Sequence, residues 1–172
     1  MAIFRERFSS EDLLHLLVFC AFPIHVWTIV NMFRDVPSWA LYMRQWELVS
    51  TVAYMLTFAL FETLIILLPI LVVGLLLPKQ WISRVYVPWV GVMLVEGALA
   101  AIAFQFTIVQ HSPKRNLIIL TAIVLGGSTL ILLRFPKIGE ILRSIVGRLA
   151  VLTFLYIFFD LIALVIVIAR NL

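Results

Sequence analysis

The stretch "TFALFETLIILLPI", Thr57 to Ile70, is apolar at every position except Thr57, Glu62 and Thr63. No Lys or Arg occurs between Arg44 and Lys79, so Glu62 has no cation near it in sequence. A helix that is apolar on all sides belongs in the core of a large protein or in a bilayer. Read outward, the run extends over 48–77, about 30 residues, where about 20 suffice to cross a hydrocarbon core of about 30 Å. Tilting, or a bend at Pro69, would absorb the surplus.

The whole chain agrees with the bilayer. Of its 172 residues, 64% are hydrophobic and 13% charged, against about half and about a quarter in soluble domains. Mean hydropathy is +1.15. Apolar runs over 11–33, 48–77, 86–110, 117–133 and 149–169 predict an all-α polytopic membrane protein, a bundle of five transmembrane helices forming one domain over 1–172. Five such spans take about 110 residues, which leaves short loops and no soluble catalytic domain.

Local signals set the boundaries. Ser9 or Ser10 suits an N-cap, with Glu11 and Asp12 complementing the helix dipole. Pro23 bends the first span, and Pro78 stops the second before a basic turn with Lys79, Trp81 and Arg84. Arg5 and Arg7 precede a stretch too long for a cleaved signal, so it reads as an uncleaved span. "GGST", Gly126 to Thr129, reads as a point of close packing. Cys20 is the single cysteine, which excludes an internal disulfide and a thiolate metal cage.

Two loops carry amphipathic patterns. In the first, Trp39, Tyr42, Met43 and Trp46 recur at i, i+3, i+4 and i+7, which predicts a short interfacial helix anchored by Trp39, Tyr42 and Trp46. In the fourth, Ile138, Ile141, Leu142 and Ile145 oppose Lys137, Glu140 and Arg143. That predicts a second interfacial helix on anionic lipid, with Arg134, Lys137, Arg143 and Arg148 as the contacts. The N-terminal side carries eight Lys and Arg against five on the other. The positive-inside rule then places the N-terminus in the cytoplasm and the C-terminus outside, in a prokaryotic cytoplasmic membrane.

Three of nine acids, Glu62, Glu96 and Asp160, stand near the middle of the second, third and fifth spans, and His25 belongs to about the same layer. Charge at the bilayer centre is costly, so all four are expected to face the bundle interior. Trp89, Met93, Glu96, Ala100, Ala103 and Thr107 share one helical face, and Gly97 with Ala101 adds a small-xxx-small pair. With no Lys or Arg at that level, at least one carboxyl is expected to hold its proton and donate a hydrogen bond. Such a layer serves either as interhelical glue or as a proton or cation site made of Glu62, Glu96, Asp160 and His25.

No Glu-x-x-His or His-x-x-x-His spacing suggests a metal, and His15 is too far along the helix to share an ion with His25. His111 reads as a solvated loop residue. Ser128 and Thr129 have no base nearby, and Cys20 has only His15 or His25 of its own span, so the chain is expected to be no enzyme and to hold no cofactor. The reading that follows is a small multi-pass subunit or assembly component of a larger membrane complex. Its partners would be other membrane subunits or further copies, and anionic lipid on the cytoplasmic side, with no nucleic acid. The alternative is a proton- or cation-coupled transporter or channel unit.

Overall fold

Because apolar residues run around every side of the long segments, the backbone can satisfy its polar groups in lipid only as helix. The computed structural model describes residues 8–110 and 114–172, and among them there is no strand. Arg5, Arg7 and His111 lie outside the described residues. Five long helices follow one another: α1 (Ser10–Tyr42), α2 (Gln45–Leu76), α3 (Val87–Gln110), α4 (Lys114–Arg134) and α5 (Pro136–Asn171). A single helical turn, Lys79–Trp81, and a π-helical segment, Ile82–Tyr86, lead into α3.

Four of these, α1, α2, α3 and α5, are long and apolar enough to cross a membrane. The apolar part of α4 is shorter, Ile118–Leu132, about 22 Å at 1.5 Å per residue. The helices α1, α2 and α5 pack on one another, α3 rests against α1, and α4 lies outermost against α3.

Start and stop chemistry is local. Ser9 caps α1 in a capping box: the Asp12 N–H donates to Ser9 Oγ at 3.0 Å, and the Ser9 N–H donates to the Asp12 carboxylate at 3.3 Å. The same carboxylate accepts from Arg143 at 3.1 Å, tying the start of α1 to α5. At the far end, Asn171 donates to the Tyr54 hydroxyl at 2.6 Å and ties α5 back to α2.

Neither amphipathic loop forms a helix of its own. The chain stays helical through Pro23 and Pro37 and breaks only at Met43 and Arg44, whose backbones are extended. A proline removes one backbone hydrogen bond, and the next turn can re-form the ladder. Trp39 and Tyr42 are therefore the last turn of α1, and Trp46 begins α2. In the fourth loop only Phe135 leaves the helix. Pro136 then takes the first position of α5, where its missing N–H costs nothing. The expected interfacial stripe becomes the first turns of α5. These are held to the bundle by buried Val146 and by Arg143, while Ile141 and Ile145 stay exposed.

The tightest packing is at the end where α1 starts. Leu16, Phe19, Ile82, Tyr86, Val87 and Val146 form its buried centre. A Cβ on Gly91 would fall inside the Phe19 ring, so that glycine is what lets α1 and α3 meet. The Tyr86 hydroxyl crosses to donate to the Ile70 carbonyl of α2 at 2.5 Å. "GGST" is not the expected close approach, because a Cβ on Gly126 or Gly127 would touch nothing within 4 Å.

Candidate functional site: three carboxyls in three seams

Asp160 is the deepest of the three acids, with 0% of its surface exposed. It shares its face of α5 with Thr153 and Tyr156, two turns and one turn earlier, and that face is turned on α1. His25 Nε2 lies 2.9 Å from Asp160 Oδ2, and His25 Nδ1 lies 2.8 Å from the Ala21 carbonyl. The Tyr156 ring stacks parallel on the imidazole, with centroids 4.9 Å apart.

This geometry fixes a proton inventory. A carbonyl oxygen only accepts, so Nδ1 must carry a hydrogen. A neutral imidazole then has a bare Nε2, and one proton lies between it and Asp160. The pair is either a carboxylic acid donating to imidazole or an imidazolium donating to carboxylate. Both forms have zero net charge, which is what allows the pair to sit fully buried. Among the described residues Asp160 Oδ1 has no hydrogen-bond partner, and neither do the buried hydroxyls of Thr57 on α2 and Thr153 on α5.

Glu96 is half-buried and faces α4. The Ser128 hydroxyl donates to it at 3.0 Å, and two turns of α3 away the Trp89 indole donates to Thr129 at 3.0 Å. The polar half of "GGST" is therefore what joins α3 to α4. Beside Glu96 is a shallow apolar hollow of about 200 Å³ lined by Ala100, Ala103 and Leu120 among others.

Glu62 departs from the expected inward orientation. It is exposed, as are Phe58 and Pro69 on the same side of α2. The buried side of α2 carries small residues instead, Ser50, Ala53 and Thr57, which let neighbouring helices come close. Glu62 makes no hydrogen bond or ion pair among the described residues. It stands on the wall of a groove of about 370 Å³ between α1, α2 and α3, bordered by Cys20, Trp27, Met93, Gly97 and Gln105.

Of the four residues expected to share a site, the fold joins only His25 and Asp160. Glu96 and Glu62 lie in other seams, and among the described residues no three His, Cys, Asp or Glu side chains gather as a metal site. Of the expected lipid contacts, Arg134, Lys137 and Arg148 are exposed, whereas Arg143 is engaged with Asp12. Trp46 and Tyr42 are exposed at 58% and 88%, and Trp39 is half-buried. Sequence reasoning missed the pairing of Asp12 with Arg143, the seat of Phe19 on Gly91, and the groove. Of these only the groove had a sequence signal, the small-xxx-small pair Gly97 and Ala101 that lines it. Comparison with protein-family models, characterised proteins and solved structures finds no match to this chain.

Proposed function

We propose that this chain is a five-span membrane subunit, N-terminus cytoplasmic and C-terminus outside, that packs against another membrane protein. Counting α4 as the fifth span, with Lys114 and Arg134 at its two ends, gives the alternation that this orientation needs. One observation carries the reading: Glu62 is exposed on the wall of an open groove and has no hydrogen bond or ion pair among the described residues. A charged side chain near the bilayer centre costs about 2.5–3.5 kcal/mol on insertion scales. Glu62 is about 22 Å along the axis from Glu47 and about 25 Å from Lys79, too deep for its short side chain to reach water. Covering the groove with protein removes that cost, so the isolated chain is incomplete on this face. Exposed Arg134, Lys137 and Arg148 at the cytoplasmic end suit contact with anionic lipid.

The test is the state of the chain at its native expression level. Extracted with a mild detergent and weighed by native mass spectrometry, it should run in an assembly heavier than its own 19.7 kDa with a second protein in fixed ratio. A monomer recovered with lipid alone would remove the reading.

A second reading, proton coupling, draws its support from the buried proton shared by His25 and Asp160. It uses that pair alone, without Glu62 or Glu96. Reconstituted in liposomes, wild type should then carry a pH-driven flux that Asp160→Asn abolishes. Equal flux in both proteins would exclude it.

A further inference from the structure

We infer that the groove between α1, α2 and α3 receives one transmembrane helix of a different protein, carrying a basic side chain at the level of Glu62. The inference rests on the subunit reading and adds the chemistry of the partner.

The floor of the groove is α3, from Met93 to Gln105, about 18 Å at 1.5 Å per residue. That is more than three helical turns, an extent that suits a helix lying alongside. Gly97, Ala98 and Ala101 form the floor, and a Cβ built on Gly97 would meet nothing within 4 Å. Small residues along such a track let a neighbouring backbone approach closely. Trp27 of α1 and Ile66 of α2 stand as walls, and Glu62 is the single charged group among the lining residues.

Charge complementarity then selects the occupant. A lipid amine is held in the headgroup layer, about 15 Å from the midplane of a core about 30 Å thick, and does not reach Glu62. A second copy of this chain offers no base at the right depth. Its nearest candidate on α1, Arg34, lies nine residues beyond His25, about 13 Å along the axis, and its guanidinium pairs with Asp35 at 3.1 Å. His25 itself is buried against Asp160. A separate helix with Lys or Arg near its centre satisfies the carboxyl, and the apolar stem of that side chain crosses the groove walls.

The experiment uses the full chain in phosphatidylcholine vesicles and two dansyl-labelled leucine–alanine transmembrane peptides, one with a central Lys and one with Leu in its place. Energy transfer from the protein's tryptophans to dansyl reports binding. The Lys peptide should bind wild type about tenfold more tightly than the Leu peptide, and Glu62→Leu should erase that preference. Gly97→Leu fills the groove and leaves the carboxyl in place. It should weaken the Lys peptide by a similar factor, with helicity by circular dichroism unchanged. Equal binding of the two peptides to wild type overturns the inference, as does a Lys preference that survives in Glu62→Leu. A change of self-association in Glu62→Leu without any Lys preference makes a second copy the occupant and also overturns it. If a native partner still co-purifies in full with Glu62→Leu, the subunit reading stands and this one fails.

Discussion

The α1/α5 seam and the α1/α2/α3 groove share a helix, yet they treat a carboxylic acid in opposite ways. In the seam, Asp160 is fully buried and bonded to His25, whose imidazole stacks on the Tyr156 ring. In the groove, Glu62 is exposed and has no hydrogen bond or ion pair among the described residues. Depth does not separate them, since both are far from either end of their helices. The difference is the neighbour. Asp160 meets a ring nitrogen whose protonation complements it, so burial leaves no net charge on the pair. Among the described residues no donor reaches Glu62, and α2 turns its small residues inward and leaves the acid outside. An intramembrane acid therefore marks a fold contact where a partner is present, and an unfilled contact where it is not.

The sharpest way to break that contrast is at Asp160. Asp160→Ala leaves His25 buried without its partner and should cost about 3 kcal/mol, the low end of what removing one member of a buried pair costs. Unfolding by SDS titration in mixed micelles would measure it. Asp160→Asn should cost less than about 1 kcal/mol, because its amide can still donate to Nε2. A large loss in Asp160→Asn would identify the pair as imidazolium and carboxylate. No loss in Asp160→Ala would mean that the seam does not depend on the pair at all.

Two glycines on α3 extend the contrast from polar groups to packing. Gly91 is covered by the Phe19 ring, while Gly97 faces the open groove. Gly91→Ala should destabilise by about 1–3 kcal/mol, as overpacking does. Gly97→Ala should stabilise by about 0.5–1 kcal/mol, since alanine is the better helix former and nothing obstructs its methyl group. The same titration reads both. Equal effects at the two sites would mean that α1 and α3 do not meet as described.

What the sequence made legible was whatever depends on near neighbours. The Ser9–Asp12 capping box, the stop at Pro78 and the mid-helix position of each acid are all readable along the chain. The bearing of each acid was not. Asp160 lies on a face already marked by Thr153 and Tyr156, and its direction could be read. On α2 both faces are apolar, so no asymmetry says which way Glu62 points. Small residues decided it, and Ser50, Ala53 and Thr57 carry less visible signal than the Phe58 and Glu62 they displace outward. The two loop patterns misled because amphipathic spacing persists when a helix simply continues past the span. Only the backbone at Met43, Arg44 and Phe135 shows where continuity ends.

The smallest effects separate Glu96 from Glu62. Ser128→Ala removes the hydroxyl that Glu96 accepts from, and the loss should be about 0.6 kcal/mol, the average for interhelical hydrogen bonds in membranes. Glu62→Leu removes a side chain that touches no donor, so the isolated chain should unfold at the same SDS fraction as wild type or a higher one. Both variants are single changes near mid-helix, and they differ only in whether this chain supplies the acid with a partner. If Glu62→Leu proves more destabilising than Ser128→Ala, the groove carboxyl must already be engaged within the chain. The case for an outside helix would then lose its physical basis.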